Sequence, residues 1–281
     1  MMRFFLLPIS TRRTLLYCQK IQVLPKEKQT IVDKATIRAA QLWSGWEKKE
    51  SGWQKKVVVY GNYLLRRIHF EEWGLKSVPP LSTKRREEEI LGKDKHHLIY
   101  PEDIIPTKHA VSVLRALGTD REPLHRSRLI WCLIGMPISA PFALVPVIPN
   151  LPFFYLMYRA WSHWRALAGG KHIRFLCDND LLSLSPSPVL NSIYTPILSR
   201  KAASKDSTPD IGDVKPLPDN KSKISDEETL LLSQDNRRQL VKALEIPELE
   251  VELERAIWQV EDAIQKEKEE NSKPPDTTKT K

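Results

Sequence analysis

The chain has 281 residues, with 44 Lys and Arg against 35 Asp and Glu, a formal charge of +9 and a pI near 9.4; that length suits one large domain or two ordinary ones. Its three cysteines, Cys18, Cys132 and Cys177, are odd in number and widely spaced, which excludes a disulfide framework and a cysteine metal motif. The charge is uneven: residues 1–128 hold 25 Lys and Arg against 14 Asp and Glu, a net of +11, whereas residues 200–281 hold 15 against 19, a net of −4.

A basic front of this kind serves nucleic acid, anionic lipid or import machinery, and charge alone does not choose among them. The first stretch, Arg3 to Cys18, has no acidic residue; the first acid of the chain is Glu27. Two readings fit it. Arg-rich, hydroxyl-containing and acid-poor is the composition of a mitochondrial presequence. Alternatively, Phe4 to Ile9 and Thr14 to Tyr17 are short strands joined by a polar turn at Ser10 to Arg13.

From Ile31 to Trp46, apolar residues at Val32, Ala35, Ala39, Leu42 and Trp46 step by three and four, as an amphipathic helix requires. Trp53, Val57, Tyr60, Leu64 and Ile68 repeat the spacing and predict a second helix ending near Gly74, the two packing as a helical hairpin. Pro79 and Pro80 stop the pattern, and Lys84 to Lys95 has the charge of a solvated linker. His96 and His97 are adjacent, so their side chains diverge and do not make a metal pair. Val111, Leu114 and Leu117 predict a short helix that starts after Thr107 and ends at Gly118.

The most informative stretch runs from Leu129 to Tyr158, thirty positions without Asp, Glu, Lys, Arg or His. As one helix it would be about 45 Å long, against a bilayer core of roughly 30 Å. Five prolines, Pro137, Pro141, Pro146, Pro149 and Pro152, argue against one straight span, since each lacks an amide hydrogen and kinks or ends a helix. The cluster from Pro146 to Pro152, with Asn150 inside it, reads as a turn. Three geometries satisfy these facts: one kinked span, a re-entrant membrane hairpin, or a buried helical hairpin in a soluble domain. Equally basic flanks, with Arg115, Arg121, Arg126 and Arg128 before and Arg159, Arg165, Lys171 and Arg174 after, favour a hairpin with both ends on one side. Its second arm, Leu151 to Tyr158, is short and would dip in, placing Trp161 and Trp164 at the interface.

Beyond it, Tyr155 to Leu167 continues as a helix that Gly169 and Gly170 would cap. Arg159 and His163, four apart, share a face of that helix, where they would snorkel to the interface, bind lipid phosphate or relay protons. Ser183 to Lys223 reads as a linker. Ser225 and Glu228 fit a capping box. After Pro247, the stripe Leu249, Leu253, Ile257, Val260 and Ile264 predicts a helix that packs on the domain or on a partner.

No glycine-rich phosphate loop, nucleophile elbow or metal-ligand spacing occurs, so no enzyme, cofactor or metal is expected. The stretch Leu129 to Tyr158 also lacks the ionisable group that proton-coupled exchangers keep inside the membrane. One hairpin, moreover, falls short of the repeated bundles of secondary transporters.

The blocks RFFLLPISTRRTLLYC (Arg3 to Cys18), LLRRIHFEEWGLKSVPPLS (Leu64 to Ser82), IGMPISAPFALVPVIPNLPFFYLMYRAWSHWRALAGGKHI (Ile134 to Ile173) and ELEVELERAIWQVEDAI (Glu248 to Ile264) resemble the fungal family of mitochondrial K+-H+ exchange-related proteins. The resemblance implies an inner-membrane protein that affects potassium/proton exchange and matrix cation and volume balance. It also favours an N-terminus retained in the fold, and it supplies no catalytic residues.

Together these readings predict a mainly α protein: helical hairpins around a proline-broken apolar membrane hairpin, with a small N-terminal β-hairpin. Its expected regions are 1–82, a basic N-terminal domain; 83–106, a charged linker; 107–177, the membrane-associated helical region; 178–224, a linker; 225–268, C-terminal helices; and 269–281, a tail. The expected partners are membrane lipids and other subunits of an inner-membrane cation-exchange complex, to which this chain is an accessory or regulatory subunit. No nucleic acid is expected. The alternative is a peripheral matrix-side protein that binds anionic lipid or organellar RNA through its basic N-terminal half.

Overall fold

A computed structural model describes residues 1–20, 38, 41–91, 95–141, 151–205 and 228–272. Four strands form one mixed sheet: β1 (Met2–Pro8), β2 (Thr14–Lys20), β3 (His96–Tyr100) and β4 (Leu182–Pro186), in the order β2-β1-β3-β4. The first two make the antiparallel hairpin that the strand reading anticipates, with Phe4 opposite Cys18 and Ile9 N–H bonded to the Arg13 carbonyl at 2.9 Å. β1 also pairs in parallel with β3, and β3 with β4. Parallel neighbours need long crossovers, and helices supply them.

The run Phe4-Phe5-Leu6-Leu7 has no polar alternation because β1 is covered on both faces. Phe4, Leu6, Leu16 and Leu98 meet one layer of helices through Leu75, Leu114, Ile173 and Leu176. Phe5, Leu7, Ile9 and Leu15 meet the other through Tyr194, Leu240, Leu253 and Ile257. The apolar residues of β1 and β2 thus line both cores, as the strand reading of this stretch expects.

The helices are α1 (Trp53–Arg66), α2 (Phe70–Ser77), α3 (Thr83–Leu91), α4 (Thr107–Thr119), α5 (Glu122–Ser139), α6 (Leu151–Asp178), α7 (Pro188–Lys205), α8 (Gln234–Leu244) and α9 (Leu249–Ser272). Residues 41–47 are helical as well, and the Trp43 ring lies where a Gly61 side chain would stand, so the expected hairpin with α1 is formed. Its expected core face is not buried, for Trp53 and Tyr60 are exposed. The predicted second helix also breaks after Arg66, where His69 caps α2 by accepting from Glu71 N–H at 3.4 Å. Val32, Ala35 and Ala39 lie outside the described residues.

Both stretches expected as linkers contribute to the sheet. In the first, α3 is held by its Glu89, which meets His172 at 2.9 Å and His96 at 3.7 Å, before the chain enters β3. Burial raises the Glu89 pKa, but the His172 hydrogen bond and the nearby His96 outweigh it and hold the carboxyl at about 2. His96 and His97 diverge as expected: His96 accepts from Met2 N–H at 3.2 Å, and His97 faces Ser185. In the second, β4 is followed by α7, whose buried Tyr194 donates to the Pro8 carbonyl at 3.0 Å. Five-residue strands in a charged or serine-rich context carry too little periodicity to be read locally.

The acidic C-terminal part closes the second face. Leu249, Leu253, Ile257 and Val260 are fully buried, so the α9 stripe packs on its own domain; each such side chain contributes roughly 1.5–3 kcal/mol. Glu228 caps no helix: it is buried against the β1–β2 turn, accepting from Ser10 Oγ and pairing with Arg13 at 3.2 Å. Ser225 lies outside the described residues.

The apolar stretch is a peripheral helical arm, not the organiser of the fold. Pro137 falls in the last turn of α5, Pro141 in a short 3-10 turn after it, and Pro152 in the first turn of α6, where a missing amide hydrogen costs little. Pro146, Pro149 and Asn150 lie outside the described residues. Among the described residues no helix is long and apolar enough to cross a membrane.

Gly169 and Gly170 do not end α6, which runs on to Asp178. A Cβ on Gly169 would stand 2.1 Å from the Leu75 carbonyl oxygen, and one on Gly170 would stand 2.3 Å from that of Gly118. These glycines let α6 lie directly on α2 and α4, and Gly118 is a packing contact inside α4 rather than its cap.

Candidate functional site

Where α5 and α6 leave the body of the protein, α2 crosses them and an ionic network is buried. Arg159, expected to snorkel outward, points inward and grips Glu72 with both guanidinium arms, Nη1 to Oε1 at 2.9 Å and Nη2 to Oε2 at 3.2 Å. Bidentate geometry of this kind is the strong form of the pair. Ser162 Oγ also donates to Glu72 Oε1, and Lys76 Nζ donates to Ser162 at 3.0 Å while standing over the Trp73 ring. Glu72 and Lys76 are one turn apart on α2, and both are buried.

His163 lies one turn beyond Arg159, on the same face, as the spacing predicts. Its Nε2 is 3.0 Å from Arg159 Nη2 and its Nδ1 is 3.1 Å from Nδ1 of His125 on α5. A guanidinium only donates, so His163 Nε2 accepts and its ring proton sits on Nδ1. That proton is donated to His125 Nδ1, which leaves the His125 proton on Nε2, a buried atom with no hydrogen-bond partner among the described residues.

The electrostatics follow the burial. For His163, desolvation, opposed by Glu72 and assisted by Arg159, holds the pKa down at about 4. His125 is lowered as well, by desolvation first. Desolvation alone would raise Glu72, but the Ser162 hydrogen bond and the Arg159 charge outweigh it, and the carboxyl is lowered. Desolvation brings the Lys76 ammonium down to about 7 against the pull of Glu72. A buried amine that titrates near neutrality, beside a hydroxyl and a carboxylate, can take up or release a proton without leaving its site.

Glu72, His125 and His163 also place one ligand atom each within 4.8 Å of one another, a donor set that divalent metals accept. Arg159 opposes that use. It already holds both Glu72 oxygens and the His163 Nε2, so a cation there would sit against a fixed positive charge. The arrangement suits a self-neutralising clasp between three helices.

Of the other residues singled out from sequence, Trp164 is exposed, whereas Trp161 is half-buried with its ring 5.9 Å from that of Tyr158. Leu129 and Tyr158 are half-buried at the base of the arm. Glu72, His125, Ser162 and Lys76 were not anticipated. Glu72 lies 87 positions from Arg159, and only the fold brings them together; the local signal was a Glu-to-Lys pair one turn apart beside the core residue Leu75.

Over residues 3–177 the chain matches a family model described as mitochondrial K+-H+ exchange-related. Every residue of the network falls inside that span; α7, α8 and α9 fall outside it. An uncharacterised protein of Schizosaccharomyces pombe is 35% identical over 170 residues, 60% of this chain and 72% of its own length. An uncharacterised protein of Saccharomyces cerevisiae is 25% identical over 286 residues, 93% of this chain and 85% of its own length. No solved structure matches. The chain belongs to the mitochondrial K+-H+ exchange-related family.

Proposed function

We propose that this protein acts at the mitochondrial inner membrane as an accessory or regulatory subunit of potassium/proton exchange, seated by the outer part of the α5–α6 arm in one leaflet. The observation that carries this reading is the exposure of the arm's apolar side chains: Trp131 and Ile138 are 69% and 70% exposed, and Ile130, Leu133, Phe154 and Met157 are also open. Water-soluble surfaces rarely gather such side chains in one place, and such patches mark contact sites for membranes or proteins. Aromatic rings among them suit the headgroup boundary. A dip, not a crossing, fits the length of the arm.

The accessory role rests on chemistry. Positions 129–158 hold no Asp, Glu, Lys, Arg or His, and the carboxylate of the network at the arm's root, Glu72, is locked to Arg159. Carbonate extraction of isolated mitochondria should leave the protein in the membrane, and release into the supernatant would remove the membrane seat. In liposomes the purified chain should give no potassium-dependent proton flux, whereas mitochondria that lack it should show altered potassium/proton exchange. Reproducible flux from the pure chain would overturn the accessory role.

A further inference from the structure

At the base of the arm, between α3, α5 and α6, lies a groove of about 750 Å³ whose wall carries both basic and apolar side chains. Arg86, Arg126, Lys171 and Arg174 supply the charge, and Leu129 and Trp164 belong to the apolar wall. The one carboxylate in the lining, Asp178, is already engaged by Arg115. Arg126 and Arg174 share a single counterion, Glu122. The Arg86 guanidinium is steadied over the Phe175 ring at 5.2 Å, and Lys171 is exposed with no ion pair among the described residues. The groove therefore carries surplus positive charge.

We infer that this groove binds an anionic phospholipid, its phosphate among the four cationic side chains and its acyl chain along Leu129 and Trp164 toward the exposed face of the arm. Charge complementarity selects the phosphate. The apolar wall selects a lipid over a free phosphate, which would gain nothing from Leu129 or the Trp164 ring. Leu133, one turn beyond Leu129 on the same face of α5, is exposed, so the groove's apolar lining continues onto the surface proposed to enter the leaflet. The inference rests on that seating of the arm and adds a lipid class and a place for it.

The test uses the full chain and vesicles of phosphatidylcholine, with or without phosphatidylglycerol, with binding measured by co-flotation. The wild-type chain should bind both and prefer the anionic vesicles. The R86Q/K171Q variant should lose roughly thirtyfold of that preference, as expected for two cationic groups at an anionic surface, while retaining its binding to phosphatidylcholine and its unfolding temperature. A W131S/I138S variant should lose binding to both. Full preference retained in R86Q/K171Q overturns the groove inference and leaves the seating of the arm intact; binding to neither vesicle by the wild type overturns both. Displacement of anionic-vesicle binding by inorganic phosphate or by an RNA oligonucleotide at matched phosphate concentration also overturns it, in favour of a free-phosphate or nucleic-acid site.

Discussion

The two ends of the α5–α6 arm invert each other. At its root, Arg159, His163 and His125 are buried with Glu72, while along its outer part Trp131, Ile138 and Phe154 stand open. An ordinary surface hairpin buries apolar side chains and exposes charge along its whole length. The root shows that charge can be sequestered when each partner is supplied from a neighbouring helix, and the outer part shows apolar surface left without one. The same two helices therefore present two surfaces, a buried ionic one at one end and an exposed apolar one at the other.

The sharpest way to break the contrast is to remove one partner at the root. Glu72→Ala leaves the Arg159 guanidinium buried and unpaired, and should cost about 3–5 kcal/mol in urea unfolding. Glu72→Leu combined with Arg159→Leu should recover most of that loss, because two apolar side chains avoid the stranded charge. A double variant as unstable as Glu72→Ala would mean that the network is worth more than its pairing. Gly170→Ala tests the packing beneath it. Its new methyl group would meet the Gly118 carbonyl at 2.3 Å, and an overpacked contact of this kind costs about 1–3 kcal/mol, read by the same unfolding curve.

The sequence legibly encodes the outer end of this comparison and conceals the root. Thirty uncharged positions and their prolines announce a broken apolar hairpin without any knowledge of the fold. The α9 stripe is readable for the same reason, as a local pattern of sufficient length, and the β1–β2 pair is one of the two readings that its composition allows. The sheet's other strands were not readable: His96–Tyr100 and Leu182–Pro186 are five residues each and become strands only through parallel pairing with distant neighbours. Arg159 and His163 were identified as a shared face, but their direction was misread. Whether an arginine turns outward or inward depends on a carboxylate from another helix, and helical periodicity does not contain that fact. Gly169 and Gly170 misled in the same way, because a glycine that ends a helix and one that admits a neighbouring backbone look alike in one dimension.

Acid should weaken the root selectively. His163 is held at about 4, against 6.5 for an ordinary histidine, and is flanked by Arg159, His125 and Arg128 as well as by Glu72. Between those two values the unfolded chain binds more protons than the folded one, so stability falls as pH drops from about 6.5 toward about 4. His69 is lowered to about 4 too, by desolvation and by Arg121 and Arg13, and contributes in the same direction. The unfolding temperature should therefore decline across this window, and His163→Phe should flatten the decline without abolishing it. An unchanged slope would mean that His163 is protonated in the folded state.

The smallest effect on stability is expected where the effect on membrane attachment is largest. Trp131 and Ile138 are mostly exposed, so replacing both with serine removes little buried area and should shift unfolding by no more than about 0.5 kcal/mol per site. The same change removes two of the largest apolar surfaces on the outer arm, and carbonate-resistant attachment should fall sharply. If instead the double variant unfolds far more readily, those side chains are covered in the native protein by chain that packs on them. The outer arm would then be an interior like the root, and the contrast between the two ends would disappear. Unchanged stability with lost attachment keeps it, and fixes the outer arm as the part of the molecule whose partner is not the molecule itself.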